Sequence, residues 1–313
     1  MINRRRRALR GAFAVTAASV ALAATAGTAL ASGDPVGAER ARATAEAAHQ
    51  ARVAPRAAAL AAAAPAETPT FSMIAVHKRS TLGYMYFANG AGGFDAQFPL
   101  GASFSAIADM IDADMDNDGL WDGSWTLLKD GRLSYGDQDG NGDFRSRQIG
   151  GGWNTYTTVL SPGSIGGAKQ ADLIGVDKAG VLWSYLAYAN GTVTPRARVG
   201  SGWGQYGQIA GQGDLTGDGK ADIVARDKSG VLWLYKGTGN YKAPFAGRAK
   251  IGAGWNAFDR LLSIGDLDFD GTTDLIARKP NGELFRYSGT GSASAPFKKP
   301  VKIGFGFQSY NLL

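Results

Sequence analysis

The stretch LLSIGDLDFDGTTDLIARKPNGELFRY, residues 261–287, alternates short runs with loops. Leu261-Leu262-Ser263-Ile264 leads into an aspartate-rich loop, and Asp274-Leu275-Ile276-Ala277-Arg278 leaves it. Pro280-Asn281-Gly282 is a hairpin turn, and Glu283-Leu284-Phe285-Arg286-Tyr287 returns with mixed polar and apolar residues. After a longer loop, Val301-Lys302-Ile303-Gly304 supplies a fourth run. No segment after residue 70 shows a sustained helical period.

The same unit recurs. Asp122, Asp172, Asp222 and Asp274 stand at intervals of 50, 50 and 52, each followed thirteen residues later by a tyrosine: Tyr135, Tyr185, Tyr235 and Tyr287. Met73 and Tyr86 keep the same spacing one unit earlier. Each tyrosine is followed, 18 or 20 residues on, by an aromatic after Gly or Ser: Phe104, Trp153, Trp203, Trp255 and Phe307. A period near 50 built from short strands and glycine-rich turns predicts an all-β fold, a five-bladed β-propeller with four-stranded blades over residues 71–313. The first unit lacks the strand that should precede Met73, and the last overshoots with Ser309-Tyr310-Asn311-Leu312-Leu313. The expectation is a ring closed by the C-terminal strand.

Within the units, Asp266-x-Asp268-x-Asp270-Gly271-x-x-Asp274 places side-chain oxygens at positions 1, 3, 5 and 9, with the Thr272 carbonyl at position 7. Such an all-oxygen cage suits hard Ca2+, and the glycine permits the sharp turn. Asp114, Asp116, Asp118 and Asp122 repeat it with Leu120 at position 7; Asp214, Thr216, Asp218 and Asp222 repeat it with Lys220. Asp-Gly turns need no metal, but four crowded carboxylates repel one another unless a cation compensates them. The third unit keeps only Asp172, with Ser164, Gly166, Ala168 and Lys169 at the other places, and no site is expected there or in the first unit. Asp137-x-Asp139-x-Asn141-Gly142-Asp143 has a similar look but falls elsewhere in the repeat.

The run Gly-Asp-Leu-Thr-Gly-Asp-Gly-Lys-Ala-Asp-Ile-Val at 213–224 resembles FG-GAP/VCBS repeats, the calcium-loop blades of integrin α-chain propellers. Ile-Gly-x-Gly-Trp-Asn at 149–154 and 251–256 resembles the repeats of tachylectin-type five-bladed lectins. The first resemblance implies calcium in the three loops above. The second implies sugar pockets, with Phe104, Trp153, Trp203, Trp255 and Phe307 as candidate ligand-binding residues. One aromatic per repeat is also what packing between blades would give, and Trp183 and Trp233 are assigned to the core.

Composition narrows the chemistry. The formal charge of +6 sits at the N-terminus: residues 1–31 hold five Arg and no acid, whereas 71–313 hold 24 Lys/Arg against 23 acids, so no nucleic-acid partner is expected. Absence of Cys excludes disulfides, thiolate nucleophiles and cysteine metal sites. Only His77 lies in the body of the chain, leaving little for a His-based hydrolase. Of those 23 acids, 22 are Asp, a bias toward loop chemistry. Arg4–Arg10, an apolar run to Gly27 and Ala29-Leu30-Ala31 read as a signal peptide over 1–31, hence a secreted protein without a membrane span after cleavage. Residues 32–70, rich in Ala and Pro, read as a flexible or loosely helical spacer. The leading expectation is a secreted, monomeric, calcium-binding module, not an enzyme, with a glycan or other cell-surface ligand. The alternatives are an extracellular polysaccharide hydrolase using two Asp, or a purely structural surface protein.

Overall fold

The computed structural model describes residues 33–60 and 68–313; the expected signal peptide lies outside them. Five four-stranded antiparallel sheets follow one another round a ring. Blade 1 holds β1 (Met73–His77), β2 (Leu82–Tyr86) and β3 (Phe98–Ser103). Blade 2 holds β4 (Ile107–Ala113), β5 (Gly123–Leu128), β6 (Leu133–Gln138) and β7 (Phe144–Gly150). Blade 3 holds β8 (Tyr156–Gly163), β9 (Asp172–Asp177), β10 (Leu182–Tyr185) and β11 (Ala197–Gly200). Blade 4 holds β12 (Tyr206–Ala210), β13 (Ile223–Asp227), β14 (Leu232–Tyr235) and β15 (Ala249–Gly252). Blade 5 holds β16 (Arg260–Leu262), β17 (Leu275–Arg278), β18 (Leu284–Tyr287) and β19 (Val301–Gly304), and β20 (Tyr310–Leu312) lies beside β1.

Burial follows position in the blade. β5 is buried along its whole length and β17 likewise, because neighbouring blades cover both faces of the second strand. The outermost β15 and β19 are largely exposed and carry Lys250 and Lys302, charges that discourage further strand pairing. The first strands line an axial channel of about 100 Å³, with Asp109, Thr158, Gln212 and Arg260 among its walls.

The aromatic column lies in the seams. The Trp203 N–H donates to the Gly180 carbonyl of blade 3 (2.9 Å) while its ring lies 4.7 Å from Tyr235 of blade 4. Trp153 does the same with Gly131 and Tyr185, Trp255 with Gly230 and Tyr287, and Phe307 with Gly282 and Tyr86. Phe104 keeps the backbone bond, to the Thr81 carbonyl (2.7 Å), but its ring fills the space over Gly83 in its own blade. Tyr135 departs as well. Blades 3, 4 and 5 pair the residue after the loop with the tyrosine (Leu173↔Tyr185, Ile223↔Tyr235, Leu275↔Tyr287), but blade 2 pairs Gly123 with Asp137. Tyr135 is thereby displaced to a position beside Trp125, at 5.4 Å. The seam between blades 1 and 2 therefore lacks the aromatic lock.

The propeller itself is all-β, as expected, but a helix from the 32–70 tract, read as a flexible or loosely helical spacer, occupies that seam. Helix α1 (Pro35–Leu60) runs through the alanine-rich tract. Ala38, Ala43 and Ala45 are buried, their small side chains allowing close approach to the blades. Arg42, 1% exposed, pairs with Asp112 of blade 2 at 2.8 Å and with Glu46 at 3.5 Å, and lies 4.2 Å over the Trp121 ring. Ser72 of blade 1 donates to Glu46 (2.8 Å), while Ser134 and Ser146 of blade 2 donate to Glu39. Burial pushes the Glu46 carboxyl up against the opposing pull of Arg42. Both blades supply partners for the charges of the helix, an arrangement that no local pattern in the tract reveals.

The C-terminal strand β20 completes blade 1, as expected, but the expectation of a closed ring is corrected. The five sheets are separate and open: no ladder runs continuously round the ring and none curls into a clasp. β20 is three residues long, pairing Ala75↔Leu312, Val76↔Asn311 and His77↔Tyr310. The blade 5–blade 1 seam has separate backbone links: Phe71 N–H donates to the Ile264 carbonyl (2.8 Å) and Asp266 N–H to that of Pro69 (3.0 Å). With each hydrogen bond contributing about 1 kcal/mol net, burial in the seams outweighs so short a ladder.

Candidate functional site

All three aspartate loops share one scaffold. In each, the first aspartate accepts backbone N–H groups from within the turn: Asp114 from Asn117 (2.6 Å) and Gly119 (2.9 Å), Asp214 from Gly217 (2.7 Å) and Gly219 (2.6 Å), Asp266 from Asp270 (3.1 Å) and Gly271 (2.6 Å). The last aspartate accepts from position 2: Asp122 from Met115, Asp222 from Leu215, Asp274 from Leu267. Leu120, Lys220 and Thr272 donate their N–H groups to Asp118, Asp218 and Asp270, leaving their carbonyls as the oxygen each could offer a metal. Position 4 is left-handed in each loop; Asn117, Gly217 and Phe269 stand there with φ of 63°, 78° and 58°.

The scaffold brings carboxylates together. Oxygens of Asp114, Asp116 and Asp122 lie within 4.8 Å of one another, as do those of Asp266, Asp268 and Asp274. Asp118 and Asp270 stand outside these triads, and the Asp214 loop forms none because Thr216 replaces the second acid. Burial, reinforced by neighbouring carboxylates, pushes Asp122, Asp222 and Asp266 up to about 6 and Asp274 to about 7. Two position-3 oxygens test whether a cation fits. Asp268 Oδ1 is buried with no partner. Thr216 Oγ1 stands near enough to Asp222 to favour its ionised form, yet makes no hydrogen bond of acceptable geometry. Buried, unpartnered oxygens among carboxylates suit a hard divalent cation, which when bound would tie the entry and exit of each loop together.

The third unit shows what the last aspartate does alone. Asp172 accepts from the N–H groups of Ile165 (2.9 Å), Gly166 (3.2 Å) and Ala187 (2.8 Å), and Ser164 donates to the Ala168 carbonyl. The Asp137 run is a hairpin turn: Asp137 pairs with Arg145 and Arg147, and Asp139 accepts from Asn141 and Asp143 N–H groups.

Phe104, Trp153, Trp203, Trp255 and Phe307 are between 2% and 8% exposed, so the structure places these candidate ligand residues in the packing of the ring. Trp183 and Trp233, assigned to the core from sequence, are instead only half-buried. Over Trp183 lies the exposed Arg196 guanidinium, 4.1 Å from the ring centre; over Trp233 lies Arg248, also at 4.1 Å. Each indole N–H donates to an aspartate at 2.8 Å, Asp177 and Asp227 respectively. Each arginine also donates to a tyrosine hydroxyl, Tyr156 or Tyr206, which is bonded in turn to Tyr185 or Tyr235. The sequence signal was an Arg seven residues before Trp203 and before Trp255. Blade 5 varies the motif with Phe285 under Lys279 at 4.6 Å.

A family model described as FG-GAP-like repeat matches residues 214–277, which run from the first aspartate of the second loop to just beyond the third loop. No curated protein matches the chain. Among solved structures, BP39L lectin from Burkholderia pseudomallei is similar at 14% identity and TM-score 0.47, over 73% of this chain and 68% of that one. An arginine-to-alanine mutant of AofleA from Arthrobotrys oligospora is similar at 10% identity and TM-score 0.45, over 78% and 75%. The Dos1 propeller is similar at 10% identity and TM-score 0.34, over 74% of this chain and 57% of that one. Among the described residues no helix is long and apolar enough to cross a membrane.

Proposed function

We propose that the chain is a secreted, calcium-binding, non-catalytic module whose ligand is a glycan. The observation carrying this reading is the surface station repeated in blades 3 and 4, Trp183–Arg196–Asp177 and Trp233–Arg248–Asp227. Each offers an aromatic edge for the apolar face of a sugar ring. Beside it stands a guanidinium held in place by stacking and a tyrosine hydroxyl, with N–H groups left over for sugar hydroxyls. Two stations of one geometry suit a repeated ligand such as a glycan surface. The acidic loops lie apart from them and serve the scaffold. A hydrolase would need a free acid–base carboxylate pair, whereas the strongly raised carboxyls, Asp122, Asp222, Asp266 and Asp274, are held by loop N–H groups. A glycan array probed with purified protein tests the reading. Binding to a restricted set of glycans is expected, and turnover of a polysaccharide by the same preparation would overturn it.

A further inference from the structure

The three loops share a backbone scaffold but differ in the cations that face them. Among the described residues, none of the four carboxylates of the 114–122 loop makes an ion pair with Lys or Arg within 4.0 Å, and Asp116 accepts no hydrogen bond from a basic group. In the 214–222 loop, Lys236 Nζ lies 3.1 Å from Asp218 Oδ2. In the 266–274 loop, Lys298 Nζ lies 2.7 Å from Asp270 Oδ2, and Arg286 Nη2 lies 3.1 Å from Asp268 Oδ2. Both lysines come from the outer part of the same blade, one directly after β14 and one just before β19. Blade 2 turns the corresponding hairpin toward α1 instead, where Gln138 Nε2 donates to the Ala43 carbonyl (3.4 Å).

We propose that these tethered cations grade the loops: 114–122 is the tight calcium site, and Lys236 and Lys298 compete with calcium at the position-5 carboxylates of the other two. The proposal rests on the calcium reading above. A carboxylate oxygen cannot serve an ammonium and a metal at once, so binding at Asp218 or Asp270 requires the lysine to withdraw. Both lysines are about half exposed, so they can withdraw into water at modest cost. Arg286 is 10% exposed and stays, but it occupies only Oδ2 of Asp268 and leaves Oδ1 without a partner. By charge count the first loop presents four uncompensated carboxylates to a cation, and each of the others two. The gain to the molecule is that two loops hold their shape without metal while the first depends on it.

Calorimetric titration of the chelator-stripped full chain with calcium chloride tests this, with thermal melting as a fold control. The wild type should show one tight step and two steps weaker by about tenfold or more. Asp116→Asn removes a carboxylate that accepts no scaffold hydrogen bond, and it should abolish only the tight step. Lys236→Gln with Lys298→Gln should strengthen the weaker steps about fivefold and leave the tight one unchanged. Three equal steps, a tight step surviving in Asp116→Asn, or weaker steps unmoved by the lysine changes would each overturn the grading. No binding by the wild type at all would overturn the calcium reading itself.

Discussion

Asp172 lies in a unit that has lost every other loop acid, yet it remains 1% exposed and accepts three backbone N–H groups. Where this aspartate is kept, its role as a structural acceptor is thus independent of any metal. Asp172→Ala should cost about 3 kcal/mol in urea unfolding, since it leaves buried donors unsatisfied. The corresponding acids in the three aspartate loops carry a pH signature. In metal-free protein Asp122, Asp222 and Asp266 titrate near 6 and Asp274 near 7, above the ordinary 3.8. The folded state therefore holds their protons more tightly than the unfolded chain does. Their contribution to stability is fully present below about pH 4 and is lost as the pH rises through 6 to 7. Melting temperature in EDTA should fall across that window, and added calcium, which binds only the ionised form, should reverse the fall above it. The loop acids were legible in sequence because their spacing is local; Lys236 and Lys298 were not, because they reach the loops across the blade.

At the scale of elements, α1 and the seam aromatics do the same work by different means. Trp203 bridges blades 3 and 4 through a backbone bond and a tilted contact with Tyr235, and Trp203→Ala should cost about 3–5 kcal/mol. Between blades 1 and 2 the helix substitutes for that lock. Arg42→Ala should cost about 3–5 kcal/mol, because it leaves Asp112 and Glu46 without their counter-charge. Urea denaturation of each variant checks both figures. The docking of the helix was not legible, since its helix-forming alanines carry too little apolar surface to announce a core, and its partners Asp112, Ser134 and Ser146 lie far along the chain. The aromatic column was legible as a period but not as a direction: spacing alone does not say whether a ring faces a seam or the solvent.

The whole molecule is a ring of five open sheets whose period could be read from Asp122, Asp172, Asp222 and Asp274. The surface proposed to face a ligand could not, because Arg196 and Trp183 meet only when β10 and β11 pair. Two stations on one rigid body should bind a glycan-coated surface with avidity. Arg196→Ala alone should then weaken surface binding about 100-fold or more while halving the number of sites for soluble sugar. The most direct test of the account is glycan binding by the Arg196→Ala/Arg248→Ala double variant beside the wild type. The account predicts that the variant melts within a few degrees of the wild type and binds no glycan that the wild type binds; glycan binding unchanged in a folded double variant would contradict it.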